Sequence, residues 1–177
     1  LLLSQTKRCS DILKQISKKQ IEEDIFLSSI KFEDLLEEIV NSFKETSSKK
    51  IELYIQDDQN KINIDRTPEI IYGLRNFIGN AVKFSKSKVE IYVKSNDKEV
   101  TVNITDDGPG FPDDIFNSLG EPYIKSKSKE TSSNAGLGLG TFLGKTLLEK
   151  QGAKLSFKNN QNGAEVKIDF VLSKLIS

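Results

Sequence analysis

Apolar positions recur along the chain with two different periods, and the switches between them mark the elements. Over residues 1–20, Leu2, Gln5, Cys9, Ile12, Leu13 and Ile16 fall at three- and four-residue steps, the spacing of one helix face. No start signal precedes this run, so it reads as the tail of a longer helix. The segment IEEDIFLSS reads as a linker. Phe32, Leu35, Leu36, Ile39, Val40 and Phe43 then share a second helical face, whose early acids Glu33, Asp34, Glu37 and Glu38 suit a helix N-terminus. IELYI at 51–55 and KINID at 61–65 are short strands separated by the turn residues DDQN. Thr67-Pro68-Glu69 combines an N-cap, a proline at the first helical position and an acid, and starts a helix that runs to Phe84. KVEIYVKS and KEVTVNITDD alternate apolar and polar residues around SNDK, the pattern of a hairpin. KLSFKN and AEVKIDFVL repeat it around NQNG. Between them, residues 107–135 carry little period, and a connection of that length is usually functional or mobile. A helix follows over residues 137–150, with Gly152 placed to end it.

Helices alternating with paired strands predict an α+β fold, a two-layer sandwich with helices facing a mixed sheet. The domain reading is a helix end at 1–20, a linker at 21–30 and one catalytic domain at 31–177. Lys+Arg and Asp+Glu both number 26. That balance argues against a general nucleic-acid or membrane-surface binder. With Cys9 as its single cysteine the chain has no intrachain disulfide, which fits a reducing compartment. No apolar run is long enough to span a bilayer. The chain starts with Leu1 and contains no Met, so it reads as part of a longer protein. Any membrane or sensory segment is then expected upstream.

Three stretches carry candidate chemistry. Asn76, Asn80 and Lys83 are four and three residues apart and share one helical face. An amide oxygen can ligate Mg²⁺, which takes oxygen ligands and keeps waters while bound to substrate phosphates. A lysine beside it can meet a phosphate as a point charge. Asp106 ends a strand ahead of Gly108 and Gly110, where a carboxylate can accept the exocyclic amine of adenine and the glycines let a base lie against backbone. GLGLG at 136–140 passes directly into a helix, whose N-terminal N–H groups can face phosphates. Taken singly, the same residues also read as a solvated helix face, a plain Asp-Gly turn and a tight loop of small residues. Neither a Rossmann GxGxxG after a strand nor a Walker A loop is present.

In this order the stretches resemble the ATP-binding domain of sensor histidine kinases, within the gyrase–Hsp90–histidine kinase–MutL ATPase superfamily. Asn76 through Phe84 matches the family's N box and Asp106-Asp107-Gly108-Pro109-Gly110 its G1 box. Glu121-Pro122-Tyr123 with Lys127 resembles the F-box region, with Tyr in the usual Phe position. Gly136, Leu137, Gly138, Leu139 and Gly140 match G2. The resemblance covers residues 31–172. It implies a Bergerat fold with ATP beneath a lid between G1 and G2, Asn80 on Mg²⁺, Lys83 on phosphate and Asp106 on adenine. It also implies that Lys125, Lys127 and Lys129 lie in the lid, with positive charge for the transferring phosphoryl group.

ATPases of the superfamily carry a water-activating Glu four residues before the metal-binding Asn. Here that position is Asn76, which favours transfer over hydrolysis. LGEPY, GLGLGTFLGKTLLEKQGA and SQTKRCSDIL further resemble the RegB/PrrB redox-responsive group, in which a cysteine is the proposed switch. Cys9 falls in the matching context, and it also reads as a small buried residue. The resemblance implies a kinase that transfers the ATP γ-phosphoryl group to a histidine on its own dimerisation domain, in a homodimer, for relay to a response regulator. That domain would face the cytoplasm of a bacterial inner-membrane sensor and bind no nucleic acid. The chain contains no histidine, so the acceptor is expected elsewhere and the chain alone cannot phosphorylate itself on histidine. The alternative is a module that binds ATP for sensing or scaffolding without transfer.

Overall fold

The computed structural model describes residues 29–56, 62–122 and 139–175. Its centre is a five-stranded mixed sheet in the order β2-β4-β5-β7-β6, built from β2 (Lys50–Gln56), β4 (Lys88–Ser95), β5 (Glu99–Asp106), β6 (Lys154–Asn160) and β7 (Gly163–Val171). β2 runs parallel to β4, and the remaining pairs are antiparallel. A separate two-stranded sheet joins β1 (Ser29–Lys31) to β3 (Asn63–Asp65). Helices α1 (Phe32–Lys44), α2 (Pro68–Phe84) and α3 (Leu139–Lys150) accompany the sheet, and a short helix α4 (Leu172–Leu175) follows β7.

The two-residue strand period sorts the faces. Ile51 of β2, Val89, Ile91 and Val93 of β4, Val100, Val102 and Ile104 of β5 and Val166, Ile168 and Phe170 of β7 are all buried in one core with the apolar faces of α1 and α2. The opposite face is polar. It carries the ion pairs Lys50–Glu52 at 2.8 Å and Lys88–Glu90 at 2.9 Å, and a Tyr54–Tyr92 stack with ring centroids 4.7 Å apart.

Helix α2 starts where the sequence predicts: the Thr67 side chain accepts from Ile70 N at 3.3 Å, and Pro68 opens the helix. Its other end is closed by Lys49, a residue with no local signature of that role. The Lys49 ammonium donates to Val82 O at 2.5 Å and Ser85 O at 2.6 Å, placing a cation on the negative end of the helix dipole. Gly152 ends α3 as predicted, with φ +78° and its N–H donating to Glu149 O at 2.9 Å.

Two features are not given by the local pattern. IELYI and KINID do not pair with each other: β2 takes the edge of the main sheet beside β4, and β3 pairs with β1. β1 itself falls in and around the end of the segment read as a linker. Its Ile30 pairs opposite Ile64, which is buried, so one tertiary contact rather than any local alternation makes it a strand. The proposed helix tail at 1–20 lies outside the described residues.

α2 and α3 pack closely because both present glycine. A Cβ at Gly73 would stand 2.5 Å from Leu148 Cγ and Cδ2, and one at Gly144 3.0 Å from Asn76 Cβ and Phe77 Cε2. Leu148 is fully buried. Gly73→Ala is expected to lower unfolding stability by about 1–3 kcal/mol through overpacking, outweighing the better helix propensity of alanine. Equilibrium denaturation of the variant and the parent protein checks this.

Candidate nucleotide site

The helix–helix contact delivers two of the predicted amides to the first turn of α3. Asn80 Nδ2 donates to Thr141 Oγ1 at 3.3 Å. A Cβ at Gly140 would lie 3.3 Å from Asn76 Oδ1, so Asn76 stands directly opposite Gly140. Asn76 Nδ2 donates to Tyr72 O at 2.8 Å, within its own helix. One turn on, the Lys83 ammonium sits 5.1 Å from the centre of the Phe84 ring, and Phe84 is exposed. Leu139 and Gly140 begin α3. Gly136, Leu137, Gly138, Tyr123, Lys127, the neighbouring Lys125 and Lys129, and Cys9 lie outside the described residues.

Asp106 closes β5 on the same face as Val100, Val102 and Ile104, so strand alternation turns its carboxylate inward. Burial pushes that carboxylate up from its ordinary range, opposed by hydrogen bonds from the backbone N–H groups of Gly108 and Ala164. The Gly108 bond is 2.8 Å long. Gly108 has no alternative here: a Cβ would lie 2.5 Å from Phe84 O, where the loop crosses the end of α2. Gly163 is as constrained, since its Cβ would strike the Asp106 carbonyl oxygen.

The adjacent carboxylate does different work. Asp107 accepts from Lys86 N at 2.8 Å, Ser87 N at 3.0 Å, Ser87 Oγ at 2.6 Å and Lys88 N at 3.1 Å. Desolvation alone would raise it, but these donors outweigh that and hold it well below the usual carboxylate range. It pins the α2–β4 turn to the end of β5.

Asp107, Lys49, Thr141 and Gly163 were not singled out from sequence, because their partners are remote in the chain. The second aspartate of Asp106-Asp107 was visible, but nothing local separated its role from the first. Among the described residues no three His, Cys, Asp or Glu side chains cluster as a metal centre.

This arrangement has known counterparts. Residues 65–174 match the family described as histidine kinase-, DNA gyrase B-, and HSP90-like ATPases. The mixed sheet with its helices and the amide-bearing α2 thus define an ATP-binding domain, and the chain belongs to that family. The chain is 34% identical over 167 residues to the sensor histidine kinase RegB of Cereibacter sphaeroides, covering 90% of this chain and 36% of the relative. It is 27% identical over 157 residues to the sensor histidine kinase CssS of Bacillus subtilis, covering 88% of this chain and 32% of the relative. It therefore spans about a third of the length of these relatives. The catalytic domain of histidine kinase ThkA, solved nucleotide-free, superposes with a TM-score of 0.67 at 21% identity over 81% of this chain and 96% of that one. Full-length ShkA in complex with AMPPNP superposes with the same TM-score at 22% identity, over 81% of this chain and 30% of that one. These solved structures share the α+β fold inferred from the sequence. No helix among the described residues is long and apolar enough to cross a membrane.

Asp107 gives the site a pH signature. Its folded-state pKa is depressed, so its stabilising contribution is complete above the ordinary aspartate range, about 4, and disappears as pH falls toward the depressed value. Asp107→Asn is expected to be less stable than the parent protein at neutral pH, with the gap closing below about pH 4. Thermal unfolding across that range measures it; a gap independent of pH would refute the assignment.

Proposed function

We propose that this chain is the ATP-binding catalytic domain of a RegB-like sensor histidine kinase. In this reading it transfers the ATP γ-phosphoryl group to a histidine on a dimerisation domain, for relay to an aspartate of a response regulator. The full protein would act as a homodimer, with this domain on the cytoplasmic side of a bacterial inner membrane. The observation that carries the reading is the pairing of two sites on one frame. A half-buried carboxylate, Asp106, lies at the end of β5, and the amides Asn76 and Asn80 face the first turn of α3.

Each residue has a role that follows from its chemistry. Asp106, as a carboxylate, accepts the exocyclic amine of adenine, a bond guanine cannot supply at that position. Gly108 and Gly110 keep side chains out of the base's way, and Phe84 offers an exposed ring at the same end of α2. Asn80 would hold Mg²⁺ through its amide oxygen, and the ion would supply charge neutralisation on the phosphates. Lys83 adds a positive charge beside it. Asn76, Gly136, Leu137, Gly138, Leu139 and Gly140 are assigned to the phosphate side, with Tyr123 and Lys127 covering the nucleotide.

Asn76 also decides the reaction. An amide cannot take a proton from water, and its nitrogen is already committed to Tyr72 O. An imidazole nitrogen needs no such base: its lone pair forms the N–P bond as the bond from the γ-phosphorus to the β–γ bridging oxygen breaks and ADP departs.

Calorimetric titration with ATP and GTP tests the adenine assignment. Asp106→Ala is expected to weaken ATP roughly ten- to hundredfold, the worth of a charged hydrogen bond, and to leave GTP nearly unaffected. Unchanged ATP affinity would remove Asp106 from the site. Burial raises the Asp106 pKa, and its ionised form is the stronger acceptor of the amine. ATP affinity should therefore fall, as pH is lowered, at a higher pH than for an ordinary aspartate, and Asp106→Ala should lose that dependence. Asn80→Ala is expected to abolish the gain in ATP affinity that Mg²⁺ confers. Acid-labile labelling from γ-labelled ATP of a histidine-bearing dimerisation domain supplied in trans tests transfer; ATP binding without label favours a sensing or scaffold module.

A further inference from the structure

Strand β6 carries a side-chain arrangement that none of these roles uses. Asn159 Oδ1 accepts from Phe111 N at 2.7 Å, and Asn159 Nδ2 donates to Phe111 O at 2.9 Å. One amide thus satisfies both backbone groups of a single residue, reproducing with a side chain what a neighbouring strand would do. The ring of the same residue is held as well: Phe111 meets Phe157 edge-on, with centroids 5.7 Å apart. Phe157 and Asn159 are two residues apart and lie on the core-facing side of β6, as Asp106 does on β5. Ala164 joins the two places: it pairs with Asn159 in the β6–β7 ladder and follows Gly163, which lies against the Asp106 carbonyl.

We infer that Asn159 is a positioning residue that fixes the Gly108–Phe111 backbone as the surface against which the Asp106-held base lies. The inference rests on the adenine reading of Asp106. Gly110 shows how closely the latch fits. Its φ is +78°, a conformation that favours glycine, and a Cβ there would stand 2.8 Å from Asn159 Oδ1. The second glycine of the loop is therefore required twice, once by its own backbone and once by the amide across from it. Solvent reaches Asn159, so the two hydrogen bonds add little to global stability. Their effect is local, on a loop whose ordering would otherwise be charged against nucleotide binding.

The test uses Asn159→Ala, Asn159→Asp, Asp106→Ala and Gly110→Ala, reading ATP affinity by calorimetry, amide hydrogen exchange at Phe111 and thermal stability. Asn159→Ala is expected to weaken ATP by about tenfold and to speed exchange at Phe111, with little change in melting temperature. Asn159→Asp keeps the acceptor for Phe111 N but sets a carboxylate against Phe111 O, and should fall between Ala and the parent protein. Gly110→Ala should cost less ATP affinity in the Asn159→Ala background than in the parent, because the clash with the amide is gone. ATP affinity of Asn159→Ala within about twofold of the parent, with Asp106→Ala still impaired, would overturn the latch alone. Strictly additive effects of the Gly110 and Asn159 changes would overturn it too. Unchanged ATP binding by Asp106→Ala would instead overturn the adenine reading and the latch with it.

Discussion

Everything at the site depends on how closely two helices can approach. α2 is packed on the sheet along one side, and α3 reaches it only because Gly73 and Gly144 remove the side chains that would hold them apart. Leu148 fills the space at Gly73, and Phe77 and Asn76 fill the space at Gly144. Interiors are packed near crystal density, so a methyl group there has no slack to occupy. The consequence is functional as well as structural. With the helices in contact, the first turn of α3 lies against Asn76 and Asn80, and Gly140 stands one turn before Gly144 on the same contact. The spacing between these amides and the first turn of α3 is thus set by core packing.

The second constraint is the management of backbone ends. The site lies where α2 stops, β4 begins and β5 runs out, so carbonyl and N–H groups there lack regular partners. Charged side chains supply them. Lys49 closes the carbonyls of α2, and Asp107 gathers the N–H groups of residues 86–88. Asp106 stands beside Asp107 in sequence yet responds to its surroundings in the opposite way. One carboxylate ends an inward-facing strand position and is raised by burial; the other turns toward a row of donors and is lowered. A single residue step at a strand end separates a half-buried acid from one held by a row of donors.

Much of this was legible along the chain. Thr67-Pro68 marks the start of α2 and Gly152 the end of α3, because caps act over a few residues and leave a local imprint. The hairpins β4–β5 and β6–β7 follow from alternation around polar turns. Asn76, Asn80 and Asp106 stand out as candidates by their spacing and their glycine neighbours. The pieces that escaped share a cause. β1 becomes a strand only through β3, and β2 finds β4 across the intervening helix. Lys49 meets Val82 across 33 residues of chain, Asn159 meets Phe111 across 48, and Asn80 meets Thr141 across 61. No periodic signal connects residues that far apart.

The sequence by itself determined the chemistry its side chains offer: a carboxylate at Asp106 ahead of two glycines, and the amides Asn76 and Asn80 on one helical face. Those properties belong to side chains and survive translation into any compatible backbone. The tertiary structure alone decided that burial raises Asp106 while a row of donors lowers Asp107, why glycine stands at positions 73, 108, 110 and 144, and which remote side chains hold the loop at the end of β5. These are matters of distance and burial, and distance between residues far apart in the chain exists only once the helices and sheet have packed.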